Sequence, residues 1–186
     1  QLMFRRKKIA QNGIDLFRQE YPSEPDEAFL TTGRPVFNPE QLSDTLKNTR
    51  DLESRLALEG EDFTNNSRGE LFTWRPHVPG EQYVIGADVA MGVRGGDYSV
   101  AQVLDSKKRQ IATWRGHAHP DYFAQVLYKL GEYYNQAYIC VENNSHGILT
   151  CTRLGKDMAY PNFYTEVQHD KVTDRETVKL GFSTTS

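Results

Sequence analysis

A carboxylate set inside a strand constrains this chain more than any other feature. Residues 83 to 99, Tyr-Val-Ile-Gly-Ala-Asp-Val-Ala-Met-Gly-Val-Arg-Gly-Gly-Asp-Tyr-Ser, open as an apolar run of strand-favouring residues and then break into glycines at 92, 95 and 96. Asp88 stands within that run. Burying an unpaired carboxylate is costly, so a sequence that puts an acid in a central strand supplies a cation, a proton or a hydrogen-bond network beside it. Asp88 is thus either a strand-end acid bonded to the amides of the glycine loop or a ligand.

A second strand sharpens the choice. Residues 137 to 142, Ala-Tyr-Ile-Cys-Val-Glu, form a short apolar run that ends in Glu142 and leads into Asn143-Asn144-Ser145-His146-Gly147. Open α/β sheets gather ligand sites at the carboxyl ends of their strands, and two such ends carrying acids offer hard oxygen ligands to divalent cations.

The rest of the chain determines whether those strands can be neighbours. Residues 4 to 20 carry a helical pattern with a basic run at Arg5, Arg6, Lys7 and Lys8, interrupted at Asn12-Gly13. The run reads as a solvated helix start or as a phosphate contact. Pro22 and Pro25 predict an extended segment, and Asp26 with Glu27 suits the first turn of a short helix. Residues 39 to 58 read as one amphipathic helix with Leu42, Leu46, Leu52 and Leu56 as buried positions, and 59 to 69 as a loop. A short strand is expected at 70 to 75. From there the pattern predicts strands at 83 to 90, 98 to 105 and 109 to 116, the last two joined by a tight antiparallel link. A helix opened by Pro120, the strand at 137 to 142, a helix from 147 to 154, and strands at 163 to 167 and 177 to 182 follow. A strand-helix-strand crossover needs a parallel partner. If 137 to 142 lies beside 83 to 90, the fold is α/β and ribonuclease H-like, a mixed sheet of three antiparallel strands followed by parallel ones with flanking helices. Asp88 and Glu142 then share one sheet edge.

Several segments together resemble the large subunit of tailed-phage terminases. Glu20-Tyr21-Pro22, Glu27-Ala28-Phe29, Gly33 and Val36-Phe37 are similar to the join between its ATPase and nuclease halves. Residues 86 to 99, residues 131 to 147 through Val141-Glu142-Asn143-Asn144, and Lys179-Leu180-Gly181-Phe182 resemble its C-terminal nuclease domain. The resemblance implies a linker and helical segment over 1-80 and a nuclease domain over 81-186. It implies metal-dependent endonucleolytic cutting of concatemeric viral DNA, with two Mg2+ or Mn2+ ions in the complete domain. Asp88 would bridge both ions and Glu142 hold one, while Asp97 would be an outer ligand or an acid tightening its glycine turn. Partners would be double-stranded DNA and, in the full protein, the ATPase domain, the small terminase subunit and the portal. The family's third carboxylate would follow Ser186, so the nuclease fold is expected to be truncated at its C-terminal end. The first and last residues look like cuts within a longer protein.

Composition narrows the alternatives. At 186 residues the chain can hold one core and an appendage, and no apolar run approaches the ~18 residues of a membrane span. There is no signal-peptide core within residues 1 to 30, and Cys140 and Cys151 lack paired metal-ligand spacing, which fits a reducing cytoplasm; the resemblance implies that of a host bacterium. The formal charge of -3 argues against a generally basic nucleic-acid binder but permits a local basic track. Lys107, Lys108 and Arg109 at the hairpin tip, His146, Arg153 and Lys156 are candidate DNA contacts, with a solvated surface as the competing reading. No phosphate loop of the Gly-x-x-x-x-Gly-Lys-Ser/Thr type is present, so ATP hydrolysis is not expected. A nucleotide-binding relative with the same fold would need a second phosphate-binding half, and a non-catalytic docking module of the packaging motor would not need both Asp88 and Glu142.

Overall fold

The computed structural model describes residues 2–21, 37–170 and 175–184. Two compact units divide between Arg50 and Asp51. The first contains helices α1 (Leu2–Asn12), α2 (Ile14–Glu20) and α3 (Pro39–Lys47). The break foreseen at Asn12-Gly13 separates α1 from α2, with Gly13 at a φ of 79°. Phe17 is buried and stacks on Tyr21, while the Arg5 guanidinium lies 5.4 Å from the Phe17 ring centre. The expected extended segment and short helix at 22 to 36 lie outside the described residues.

The long helix expected over 39 to 58 is not formed. α3 ends at Lys47, where Asn48 turns its side-chain amide back onto the Asp44 carbonyl. Leu42, Leu46 and Leu52 are exposed, and Leu56 is a strand residue. Leu56 and Leu58 alternate with Arg55 and Ala57 at the strand period, and that pattern prevails over the four-residue spacing of Leu52 and Leu56.

The second unit is built on a seven-stranded mixed sheet. Its strands are β1 (Ser54–Glu59), β2 (Asp62–Asn65), β3 (Leu71–Thr73), β4 (Tyr83–Asp88), β5 (Ser99–Asp105), β6 (Gln110–Gly116) and β7 (Tyr138–Val141). The spatial order is β2-β1-β3-β6-β5-β4-β7. β1 to β3, which the sequence reading assigned to the linker segment before residue 81, are thus part of the sheet, and β2 falls where a loop was expected. Within β4 to β7 the order is the ribonuclease H-like one: β4, β5 and β6 are antiparallel neighbours, and β7 pairs parallel to β4 on its other side. The crossover to β7 is helix α4 (Pro120–Tyr133), opened by Pro120 and by His119, whose ring nitrogen accepts from the Asp121 N–H. α4 buries Phe123, Val126, Leu127 and Leu130, and Phe123 packs 5.1 Å from Trp114 of β6.

Helix α5 (Gly147–Thr152) follows β7, runs on as a wide π turn over Arg153–Asp157, and is succeeded by the antiparallel hairpin β8 (Thr165–Asp170) and β9 (Arg175–Leu180). Parallel bridges from Phe163 to Ile139 and from Phe182 to Glu142 tie this last segment to β7. Tyr134 is buried against Tyr83 at the end of α4, so the tyrosine pair at 133 and 134 serves packing.

Candidate metal centre

Asp88 is the last residue of β4, and Glu142 follows β7 directly. The parallel register sets Ala87 opposite Val141, and the Glu142 N–H donates to the Ala87 carbonyl at 2.9 Å. The two acids are therefore neighbours at one end of the sheet. Partial burial of its carboxyl, the negative charge of Glu142 and a hydrogen bond with the Glu142 side chain push Asp88 above the usual carboxylate range; the Val89 N–H pulls the other way. The residue remains exposed, so water damps that push.

Glu142 is held from two directions. Its Oε1 accepts from the Asn144 side-chain amide and from the Thr184 hydroxyl, each at 2.6 Å, and Asn144 also donates to Thr184 Oγ1 at 2.6 Å. Phe182 brings Thr184 there by donating its N–H to Val141 and accepting from the Asn143 N–H at 2.7 Å. The wrap is tight enough to require glycine twice. A Cβ on Gly147 would sit 1.8 Å from the Glu142 carbonyl oxygen, and one on Gly181, at a φ of 74°, would sit 2.5 Å from the Val141 carbonyl oxygen. The Asn143 amide donates to the Leu180 carbonyl, fixing the same crossing. Thr184 has no counterpart in the sequence reading, since nothing local links it to Glu142.

Asp97 is exposed in the glycine turn, close enough for its charge to add to the push on Asp88. Its backbone carbonyl lies 3.2 Å from His117 Nδ1. Among the described residues no group of three His, Cys, Asp or Glu side chains is disposed to hold a metal ion. The donor set nevertheless suits one hard cation: two carboxylates converge where their mutual repulsion is relieved by positive charge. The Asn144 amide and the Thr184 hydroxyl already hold Glu142 by hydrogen bonds of the kind that orient a metal-binding carboxylate.

The basic candidates divide by position. Lys107, Lys108 and Arg109 form the turn between β5 and β6, at the far end of the sheet from Asp88, which pairs with Val100 at the opposite end of β5. Six strand residues separate the two ends by about 20 Å. Arg109 is also committed to Asp105, with Nη2 at 2.6 Å and Nε at 2.7 Å from Oδ2. Burial alone would raise the Asp105 carboxyl, but the Arg109 side chain and the backbone N–H groups of Arg109 and Lys107 hold it below its ordinary value. Arg153 is engaged by Asp121 at 2.5 Å and by Asp157 at 2.9 Å. Lys156 is exposed on the π turn. His146 is half-buried at the start of α5, one residue before the glycine that packs on Glu142, and makes no side-chain cap.

No family model and no curated protein matches the chain. Solved structures do. The large terminase nuclease from thermophilic phage G20c with bound cobalt aligns at 26% identity over 51% of this chain and 50% of that one, with a TM-score of 0.44. The same nuclease with bound magnesium aligns at 24% identity over 53% and 51%, TM-score 0.45. The large terminase nuclease domain of Thermus phage P74-26 aligns at 17% identity over 67% and 80%, TM-score 0.36. The chain thus spans about half the length of the first two.

Proposed function

We propose that residues 51 to 184 form the nuclease portion of a phage packaging terminase large subunit, a metal-dependent endonuclease for double-stranded DNA. The observation that carries this reading is the adjacency of Asp88 and Glu142 at the ends of parallel β4 and β7. The ordered motifs from residue 86 to residue 182 support it independently. Asp88 and Glu142 would hold Mg2+ or Mn2+ through hard carboxylate oxygens. Held by these two carboxylates, a divalent cation would supply the Lewis acidity to activate water and stabilise the leaving 3'-oxygen of an in-line displacement.

The chain's own residues do the positioning. Asn144 and Thr184 fix one oxygen of Glu142, which orients the other side of that carboxylate toward Asp88. The closure of α5 onto the Glu142 backbone through Gly147 keeps the acid from swinging away. Asp97, exposed in the neighbouring glycine turn, would add negative charge to the site. Double-stranded DNA, an ATPase domain, a small terminase subunit and a portal are the partners of this reading, and the cytoplasm of a host bacterium is its setting. Among the described residues no helix is long and apolar enough to cross a membrane.

Plasmid nicking in magnesium or manganese tests the proposal. Residues 1 to 186 are expected to nick slowly. Asp88→Asn and Glu142→Gln should abolish that cutting. Cutting that survives either substitution would rule the site out.

A further inference from the structure

Lys107, Lys108 and Arg109 stand at the far end of the sheet from the acid pair and Arg153 is neutralised by acids, whereas Arg115 lies at the same end of the sheet as Asp88. Arg115 is exposed near the end of β6, and among the described residues no carboxylate pairs with it. Its guanidinium carbon lies 3.4 Å from the centre of the Tyr98 ring. The His117 ring stacks on the same tyrosine at 4.0 Å between centroids, with 24° between planes. Two groups so close to one ring must occupy its opposite faces, so Tyr98 is clasped between a guanidinium and an imidazole. The register fixes where this clasp points. Asp88 pairs with Val100, and Val100 pairs with Arg115. Directly paired strand residues project from the same face, so Asp88 and Arg115 share a face two strands apart, a separation of ~10 Å.

We infer that the Arg115–Tyr98–His117 clasp is a phosphate-binding element that seats the backbone of double-stranded DNA beside the cleavage site. The inference rests on the nuclease reading above and names the surface through which that site would grip its substrate. Three features support this occupant. The guanidinium is presented flat, with its orientation fixed by an aromatic ring, which suits bidentate contact with phosphate oxygens. The charge complements a polyanion in a chain whose net charge is negative. The spacing of ~10 Å equals about three base steps along a duplex, at 3.4 Å per step on one strand. A backbone held at Arg115 therefore reaches Asp88 within a few nucleotides. His117 Nδ1 lies 3.2 Å from the Asp97 carbonyl oxygen.

The test is fluorescence anisotropy of a labelled 30-base-pair duplex with residues 1 to 186 in calcium, over a series of salt concentrations, for wild type, Arg115→Ala, Arg115→Lys, Tyr98→Phe and Tyr98→Ala. Losing one phosphate contact should flatten the slope of log K against log salt by about 0.9 and weaken binding about eightfold at 0.1 M salt. Arg115→Ala and Tyr98→Ala are expected to show both changes, Tyr98→Phe neither, and Arg115→Lys an unchanged slope with reduced affinity, because charge is kept and the planar fork is lost. Thermal midpoints taken in parallel verify that each variant is folded. An Arg115→Ala protein that is folded and binds with the wild-type slope would overturn the clasp while leaving the acid site standing. Wild type that fails to bind duplex at all would overturn the nuclease reading and the clasp with it.

Discussion

Replacing Asp88 with Asn removes one of the two neighbouring carboxylates at the ends of β4 and β7 while preserving shape. Two unit charges at ~4 Å interact by about 1 kcal/mol in water and about 4 kcal/mol at an effective dielectric near 20. Asp88 is exposed, so the lower part of that range applies, and relief of repulsion is expected to be about 1–2 kcal/mol. The sign follows from the direction of the shift. The folded state raises Asp88 above its unfolded value, so the favourable contribution of its protonated form is fully present below the ordinary value of about 3.9 and is lost as pH rises through the folded value. At pH 7 in a chelator the wild type therefore carries the repulsion and Asp88→Asn does not. The variant should melt about 3–6 °C higher there, and its advantage should disappear by about pH 4. Millimolar Mn2+ should reverse the order, because only the wild type gains stability from binding. Scanning calorimetry at both pH values, with and without Mn2+, is the assay. A variant no more stable than wild type at pH 7 in chelator, or equally favoured at pH 4, would refute the reasoning.

Other perturbations have equally definite outcomes. Thr184→Val and Asn144→Ala remove the donors on Glu142 Oε1 and should weaken Mn2+ binding about 10- to 100-fold by calorimetric titration, with little change in thermal midpoint. Gly147→Ala forces a Cβ onto the Glu142 carbonyl and should lower stability by about 2 kcal/mol or more in urea. Leu130→Ala, in the buried face of α4, should lose about 2–5 kcal/mol by the same measurement without altering DNA affinity per folded molecule. Arg109→Ala strips a buried carboxylate of its cation and should lose about 1–2 kcal/mol at pH 7. Since Asp105 titrates low in the folded state, the wild-type contribution is present above the ordinary carboxylate value and is lost as pH falls through the folded one, so the two proteins should converge in acid.

β4 and β7 were legible in the sequence because each is an apolar run that ends at an acid, and the crossover helix between them advertised itself by Pro120 and a regular apolar face. That much brought the two acids to one edge. β1 was not legible because Leu52 and Leu56 fall at helical spacing, and only pairing with β2 and β3 decides for the strand. Thr184 lies 42 residues from the carboxylate it supports, and its contact exists only because Phe182 forms a parallel bridge with Glu142. The clasp around Tyr98 depends on the β5–β6 register, which sets Ser99 opposite Gly116 and so brings Tyr98 between Arg115 and His117. Lys107 and Lys108 drew notice by charge alone, and charge carries no information about which end of a strand it occupies.

The claim on which the rest depends is that Asp88 and Glu142 jointly hold a divalent cation. Crystals of residues 1 to 186 soaked in Mn2+ and measured at the manganese absorption edge test it directly. An anomalous peak is expected between the two carboxylates, with oxygen distances of about 2.1 Å, and is expected to be missing from Asp88→Asn crystals treated identically. Manganese bound elsewhere with none at the pair, or a peak at the pair undiminished in Asp88→Asn, would contradict it.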